Sequence, residues 1–292
     1  MDSRITSFNT ILGLHLRINA VDVGASGIDG APLYAPLLAR DELDVVGFEP
    51  DPSSLASLNA QKGPHETYLP YVVGDGGEHT LQVCRSPGMT SLLEPNRAIF
   101  PFFHGFSRWG EVVERVAVKT TRLDDIAEVK ALDYLKIDVQ GAELMVLQNA
   151  PQRLSECVVI QTEVEFLPLY MNQPLFSEVE QYLRSQGFVF HCFVPAPSTR
   201  MVSPMILGND PMNGLSQVFD SDVVFVRDFT RPDAMTSDQM LRMAMILHDI
   251  YGSYDVALRL LLEHDRRFGG SLCSRYSANL IAVASAPDSA AA

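Results

Sequence analysis

The chain of 292 residues lacks several features that would assign it to a common class. It has no uninterrupted apolar run of 18 residues, so we predict no transmembrane helix. Its first residues lack a basic segment followed by an apolar one, so we predict no signal peptide. The four cysteines are scattered and form no Cys-x-x-Cys pair, which indicates reduced thiols in a cytoplasmic protein.

Basic residues are also scarce and unclustered. Lys and Arg number 22 against 36 Asp and Glu, and the net charge is -14. A protein that binds nucleic acid needs clustered Lys and Arg to neutralise phosphates, so we predict no nucleic-acid partner. An acidic surface favours solubility and a small-molecule or glycan substrate.

Strand and helix patterns alternate along most of the chain. Strands are predicted at 19–23, 44–49, 71–74, 134–139, 158–165, 188–194 and 217–227. Helices between most of these strands predict a mainly parallel sheet covered on both faces. The last two strands are joined by a loop alone, so one of them is expected to run antiparallel.

Two segments interrupt or follow this alternation. We predict one large domain over 1–230, with a β-rich insertion at about 79–119 before the fourth strand of the sheet. Residues 231–276 have helical spacing and form a predicted helical hairpin, which is core, a homodimer contact or a lid. The small and polar residues 277–292 are predicted to be a disordered tail.

A nucleotide pocket is indicated by two turns. Val21–Gly27 reads as a strand entering a glycine turn, and Gly47–Pro50 as a second strand that ends in a carboxylate. In a parallel α/β sheet such glycines let the backbone approach a nucleoside while the acid binds its ribose. The nicotinamide fingerprint GxGxxG lacks its GxG doublet here, which favours S-adenosylmethionine over a dinucleotide. A tight turn without a ligand is the third interpretation.

An ordered set of motifs then narrows the choice. These motifs are DVGASG, GFEPDP, LPYVVGDGGEHTL, GMTSLLEP, VKTTRLDDI, DYLKIDVQGAELMVL and QTEVEFLPLY. Together they resemble the FkbM family of S-adenosylmethionine-dependent methyltransferases from about residue 19 to 194. The resemblance implies the class I methyltransferase fold, a Rossmann-like seven-stranded sheet whose last strand is antiparallel. It also implies O-methylation of hydroxyl groups on macrolides, sugars or related glycans.

The resemblance also implies a set of cofactor-binding residues. Glu49 is expected to bind the ribose hydroxyls, and Asp75 to lie near the adenine amino group. Ser26 stands where the family often has Asn and still offers a hydrogen bond. The remaining positions are Asp22, Gly24, Ala25 and Gly27 for the methionine portion, and Pro50 and Asp51 beside the adenine.

Three carboxylates are the candidate catalytic residues. Asp138 ends the strand 134–139, and Glu163 and Glu165 end the strand 158–165. An alcohol must lose its proton as it attacks the methyl group, so a carboxylate base within reach assists the transfer. The alternatives are a structural ion network with Lys136, a solvated strand end, and a Mg²⁺ held by the three acids. We assign no metal ligands from the sequence, and interpret Glu143 as a base or as a complement to a helix dipole.

Four further residues are candidates for binding the methyl acceptor. His104, Arg108 and Trp109 lie in the insertion, where loops commonly carry function, and His191 lies in a late strand. For each of the four residues the alternative is a structural role without contact to the acceptor. For His191 a buried core histidine is favoured over a base. The sequence thus predicts an S-adenosylmethionine-dependent O-methyltransferase of a sugar, glycan or secondary metabolite. The contrasting hypothesis is a non-catalytic nucleoside-binding module.

Overall fold

The computed structural model describes residues 6–26, 30–208, 210 and 212–285. Its strands are Ile18–Val23 (β1), Leu43–Phe48 (β2), Glu66–Leu69 (β3), Glu78–Cys84 (β4), Val112–Lys119 (β5), Tyr134–Ile137 (β6), Val159–Glu165 (β7), Phe188–Phe193 (β8) and Asp220–Arg227 (β9). Its α-helices are Phe8–Leu12 (α1), Ala35–Leu38 (α2), Pro52–Gln61 (α3), Phe106–Trp109 (α4), Glu143–Gln148 (α5), Pro151–Glu156 (α6), Phe176–Ser185 (α7), Ser237–Ile246 (α8), Tyr254–Phe268 (α9) and Leu272–Ser285 (α10).

Seven strands form one sheet in the order β3-β2-β1-β6-β7-β9-β8. The pairs β2–β3, β1–β6 and β6–β7 are parallel, whereas β9 is antiparallel to both of its neighbours. Strands β4 and β5 form a separate antiparallel hairpin that precedes β6 in the chain. The predicted fold class is confirmed, including the antiparallel last strand and the β-rich insertion.

The central strands are buried on both faces because helices follow them in the chain and pack against the sheet. In β7 every residue except Glu163 is buried. The core that surrounds β6 and β7 includes Leu135, Ile137, Ile160 and Phe225. Acidic residues at the carboxyl ends of these two strands depart from this apolar pattern, which marks that edge as the place to look for function.

The third strand differs from the prediction. It was expected at 71–74, but β3 spans Glu66–Leu69 and pairs with Val45–Phe48 of β2. Val73 makes only an isolated bridge to Thr121. The strand was predicted at the apolar run Tyr71–Val73, where the hydrophobic signal is stronger. The observed β3 is an edge strand whose residues are only partly buried, so its own hydrophobic signal is weak.

The chain forms two compact units, which differ from the predicted domains. One unit comprises 20–30 and 45–227, and the other comprises 1–19, 31–44 and 228–292. In the second unit, Arg40 bonds to Asp249 at 2.7 Å and Arg275 donates to the Leu12 carbonyl at 2.7 Å. The helical unit thus includes N-terminal segments as well as the residues from 228 onward, and the domain boundary near 230 stays a prediction.

The C-terminal region has more helix than predicted. The capping box of Thr236 and Gln239 is present at the start of α8. After α9, however, α10 continues to Ser285 where a disordered tail was expected from 277. Tyr276 is fully buried and shares a 2.7 Å hydrogen bond with His248, which anchors α10. Within the described residues, no helix combines the length and apolar character needed to cross a bilayer.

Candidate active site

The turn after β1 is held by backbone contacts that need a glycine. The Gly24 and Ala25 amides both donate to the Phe48 carbonyl, at 3.1 and 3.0 Å, so the ends of β1 and β2 meet there. Gly24 has a φ of +85°, and a Cβ built on it would lie 1.9 Å from the Asp138 carbonyl oxygen. The glycine thus lets the β1 turn approach the end of β6. Ser26 is half-buried beside this turn, and Gly27 lies outside the described residues.

Asp22 lies in β1 directly opposite Lys136 of β6. The Asp22 carboxylate is 4% exposed, and its Oδ1 is 3.4 Å from the Lys136 Nζ. Burial disfavours the charged ammonium group, but three neighbouring carboxylates, Asp22 foremost, outweigh it and raise the pKa of Lys136. Lys136 therefore belongs to an ion pair, but its partner is Asp22 rather than the expected Asp138 or Glu143.

Glu49 follows β2 and is nearly inaccessible. Its side chain is 6% exposed, and Oε1 accepts a hydrogen bond from the Asp51 amide at 2.8 Å. Burial raises the pKa of Glu49 above its ordinary value, although the Asp51 amide opposes the shift. A second carboxylate oxygen remains available for a ligand hydroxyl. This is the arrangement expected of an acid that binds a ribose.

The other two predicted acids of the pocket also have structural partners. Asp51 is the N-cap of α3 and accepts from the Ser54 amide at 2.8 Å. Asp75 Oδ1 accepts from the Gly77 amide and from His79, both at 2.8 Å. His79 is the main cause that lowers the pKa of Asp75 to about 2. Pro50 is exposed. The roles of Pro50, Asp51 and Asp75 toward an adenine remain predictions.

We expect Glu49→Gln to lower the affinity for S-adenosylmethionine by about 10- to 100-fold, because the amide replaces a charged acceptor by a donor. Isothermal titration calorimetry measures the change. Asp44→Asn is the matched control, since Asp44 lies in β2, which precedes Glu49, and its side chain is 45% exposed. Equal affinity of wild type and Glu49→Gln would contradict the assignment of Glu49 to the ribose.

Acidic side chains meet at the carboxyl ends of β6 and β7. Asp138, Glu143 and Glu163 each present an oxygen within 4.8 Å of the others. Asp138 follows Ile137, which lies opposite Thr162 in the parallel pair, so Asp138 and Glu163 end up side by side. The predicted pairing of Asp138 with Glu163 is therefore present, and Glu143 joins them.

Glu143 has a clear structural role in this group. Its Oε1 accepts from the Val139 amide at 2.9 Å and from the Gly141 amide at 3.1 Å, so it closes the turn after β6. Burial raises the pKa of Glu143 to about 7, although these amides oppose the shift and the Asp138 charge adds to it. The side chain therefore supports the turn. It also lies in the first turn of α5, and its expected effect on the helix dipole stays a prediction.

This raised pKa predicts a stability that depends on pH. A carboxyl whose pKa rises from 4.5 to about 7 on folding stabilises the protein below pH 4.5 and loses that contribution as the pH passes 7. We expect Glu143→Gln, which keeps the acceptor oxygen, to be neutral near pH 4.5 and stabilising by about 1–3 kcal/mol at pH 8. Urea denaturation in a buffer with a chelator measures the difference.

Glu178→Gln serves as a control of opposite sign. Hydrogen bonds led by the Ser177 hydroxyl lower the pKa of Glu178, so its carboxylate stabilises the fold above pH 4.5. We expect this variant to be less stable than wild type at pH 8. A Glu143→Gln variant that is also destabilised at pH 8 would show that the turn requires the negative charge.

Glu163 and Glu165 both have a raised pKa. Burial raises the pKa of both glutamates well above the ordinary value, and the Asp138 charge adds to the shift of Glu163 most strongly among its neighbours. A raised pKa favours the protonated form of a carboxyl, and a protonated carboxyl cannot take up a second proton from an alcohol. The roles of the three acids in catalysis remain predictions.

The predicted acceptor-binding residues are dispersed. His104 Nε2 bonds to the Met205 carbonyl at 2.9 Å, and Arg108 is exposed. Trp109 packs edge-on against Phe106 with ring centres 5.4 Å apart, inside an aromatic cluster of the insertion. His191 lies at a bulge in the edge strand β8, two strands away from β7. Binding of an acceptor by these four residues remains a prediction.

Sequence reasoning missed three residues that organise the site. Gln140 bonds to two of the acids, and Ser91 and Tyr170 bond to Gln140. The motifs that contain Gln140 and Ser91 were noticed for their resemblance to a family. No periodicity or spacing rule shows that two segments 49 residues apart touch.

The sheet order with its antiparallel last strand and the glycine turn after β1 define a class I methyltransferase, whose cofactor is S-adenosylmethionine. Residues 22–190, more than half of the chain, match the family model described as Methyltransferase FkbM domain. The chain belongs to this family and is an S-adenosylmethionine-dependent methyltransferase. The expected family, cofactor and enzyme class are confirmed, and the non-catalytic module is set aside.

Individual relatives are distant. The protein named 2-O-methyltransferase NoeI from Sinorhizobium fredii is 25% identical over 192 residues, which are 56% of this chain and 74% of that protein. A precorrin-6y C5,15-methyltransferase from Geobacter metallireducens is 13% identical with a TM-score of 0.37, covering 78% of this chain and 92% of that one. TrmK from M. capricolum, solved with S-adenosylhomocysteine, is 8% identical with a TM-score of 0.35, covering 94% and 96%.

Proposed function

We propose that the chain methylates a hydroxyl oxygen of a sugar, glycan or secondary metabolite, and that Asp138 accepts the hydroxyl proton. The observation that carries the proposal is the contrast within one acidic group. Burial raises the pKa of Glu163 and Glu165 well above the ordinary value, which favours their protonated form, whereas Asp138 lies at the end of β6 beside the Gly24 turn. A relative of this chain is named a 2-O-methyltransferase, which agrees with an oxygen acceptor.

The cofactor site is assigned to the two turns at the ends of β1 and β2. We assign the methionine portion to the Gly24 turn, which packs closely against the backbone of Asp138 at the end of β6, and the ribose hydroxyls to the nearly inaccessible Glu49. Bound S-adenosylmethionine supplies the methyl group, and its sulfur keeps the electron pair of the carbon–sulfur bond that breaks. The remaining cofactor-binding residues are Asp22, Ala25, Ser26, Gly27, Pro50, Asp51 and Asp75.

The chain contributes a proton acceptor and a fixed geometry. As the acceptor oxygen bonds to the methyl carbon, its proton moves to a carboxylate oxygen of Asp138. Asp138 donates its own backbone amide to the Val23 carbonyl at 2.9 Å, so the base is tied to the strand that carries the cofactor turn. Alignment of the oxygen with the methyl group then supplies much of the catalysis.

A radiolabelling experiment tests the proposed reaction. The full chain is incubated with [methyl-¹⁴C]-S-adenosylmethionine and a panel of p-nitrophenyl glycosides, a polyhydroxylated macrolide and matched amine compounds. We expect the label to enter hydroxyl-bearing compounds as ethers that resist mild base. Label found only on nitrogen, or as base-labile esters, would overturn the proposal.

A metal-assisted transfer is the second candidate, and one observation favours it. The oxygens of Asp138, Glu143 and Glu163 lie within 4.8 Å of one another, so Glu143 takes the place that the sequence gave to Glu165. A chelator distinguishes the two mechanisms. Activity that EDTA leaves intact supports Asp138 as a simple base, whereas activity that EDTA abolishes and Mg²⁺ restores supports the metal.

A further inference from the structure

Gln140 is placed between two acids of the proposed catalytic group. Its side-chain Nε2 donates to Asp138 Oδ1 at 2.8 Å and to Glu163 Oε2 at 2.7 Å. A glutamine amide has two N–H donors, and both are used here. The amide therefore separates the two carboxyl groups and occupies one oxygen of Asp138, which leaves the other oxygen for a substrate proton.

The backbone of Gln140 is in an unusual conformation. Its φ is +55°, in the left-handed region, and the following Gly141 has a φ of +98°. Residues other than Gly, Asn and Asp rarely adopt this conformation, and they persist in it only where their surroundings hold them. The question is therefore what holds Gln140.

Residues of the insertion hold Gln140 in this backbone conformation. The Ser91 hydroxyl, which is 1% exposed, donates to the Gln140 carbonyl at 2.6 Å. Ser91 in turn pairs through its backbone with Gln82 of β4, at 2.8 and 3.3 Å. A continuous path of hydrogen bonds thus runs from the β4–β5 hairpin through Ser91 to Gln140 and on to Asp138.

Tyr170 makes a second contact with Gln140, at the side-chain amide. Its buried hydroxyl lies 3.4 Å from Gln140 Oε1 and 3.2 Å from the Met89 carbonyl, which also belongs to the insertion. The amide oxygen of Gln140 is thereby fixed, so its Nε2 must face the acids. The amide of Gln140 cannot flip without losing these contacts.

We propose that Gln140 is a positioning residue that orients the Asp138 carboxylate for proton abstraction, and that the insertion sets its orientation through Ser91 and Tyr170. The inference rests on the proposed role of Asp138 as base. The motif GMTSLLEP then has a function, because its Ser91 connects the insertion through Gln140 to Asp138, the proposed base. An acceptor-dependent shift of the insertion would be transmitted to Asp138 along the same bonds.

A double-mutant cycle tests this role. Gln140→Met keeps the length of the side chain and removes both donors. With the best p-nitrophenyl glycoside of the panel, we expect kcat to fall about 30- to 100-fold while KM for the glycoside and affinity for S-adenosylmethionine stay within about twofold. In an Asp138→Asn background the same change should lower kcat by less than about threefold, because the oriented base is already absent. Gln140→Asn, which tolerates the left-handed backbone but reaches only one acid, should give an intermediate rate.

The outcomes separate this proposal from the one it rests on. If Asp138→Asn is inactive and Gln140→Met is fully active, Gln140 has no positioning role and Asp138 keeps its assignment. If the two effects multiply in the double variant, Gln140 acts elsewhere than on Asp138. A crystal structure of Gln140→Met gives a readout that needs no acceptor: we expect the Asp138 carboxylate to turn or to occupy two orientations, and an unchanged single orientation overturns the proposal.

Discussion

Asp138→Asn is expected to lower kcat by about 10²- to 10⁴-fold while the affinity for S-adenosylmethionine stays within about twofold. Asparagine keeps the shape of the side chain and can still accept the bond from Gln140, but it cannot take up a proton. The cofactor turn contacts the backbone carbonyl of this residue and not its side chain, so binding should survive. Single-turnover methyl transfer and calorimetric titration measure the two quantities separately.

Two control variants are needed to interpret the loss of kcat in Asp138→Asn. Asp125→Asn makes the same chemical change at an exposed carboxylate, in the short 3₁₀ turn Leu123–Asp125, and should leave kcat unchanged. Glu165→Gln replaces a carboxyl whose pKa burial raises well above the ordinary value, and an amide imitates the protonated form of that carboxyl. If Glu165→Gln proves as inactive as Asp138→Asn, the proton acceptor is not Asp138 alone.

Gly24→Ala is expected to destabilise the protein by about 2–4 kcal/mol and to abolish detectable binding of S-adenosylmethionine. The new Cβ would lie 1.9 Å from the Asp138 carbonyl oxygen, a backbone atom that cannot move without disturbing β6. The φ of +85° adds the cost of a left-handed backbone. Urea denaturation gives the loss of stability through the midpoint, and calorimetry gives the loss of binding.

Gly30→Ala tests the cost of the left-handed backbone conformation without a steric clash of the added methyl group. Gly30 has a φ of +90°, but a Cβ built there meets no atom within 4 Å. We expect a cost of about 1–2 kcal/mol, from the backbone conformation alone. If the two alanine variants lose the same stability, the β1 turn relaxes around the added methyl group, and close approach to β6 is not the reason for the glycine at position 24.

Several parts of the architecture were predictable because their signals are local. The start of α3 is one such signal, since Asp51 is its N-cap and Pro52 stands in its first turn. The buried strands β6 and β7 showed as apolar runs ending in acids. Local signals failed where burial depends on distant partners. The weakly apolar edge strand β3 was predicted at the wrong position. The helix α10 was predicted as a disordered tail, although Tyr276 is hydrogen-bonded to the distant His248.

The candidate site divides in the same way. The glycine turn, Glu49 and the acids at the ends of two strands follow from the order of residues within short segments, since strand, turn and helix each need a particular local pattern. Whether an acid holds a proton does not follow from such patterns, because burial and neighbouring charges set its pKa. Glu163 and Asp138 are separated by 25 positions and become neighbours only when β6 and β7 pair.

The amino-acid sequence by itself therefore determined that this protein has an α/β sheet with a nucleoside pocket and a set of acids at its edge. The tertiary structure alone decided that Glu143 closes a turn, that burial raises the pKa of Glu163 and Glu165, and that Gln140 joins Asp138 to the insertion. The physical reason is distance along the chain: local patterns specify helices, strands and turns, whereas burial and hydrogen bonds between remote segments specify which polar atoms are free to react.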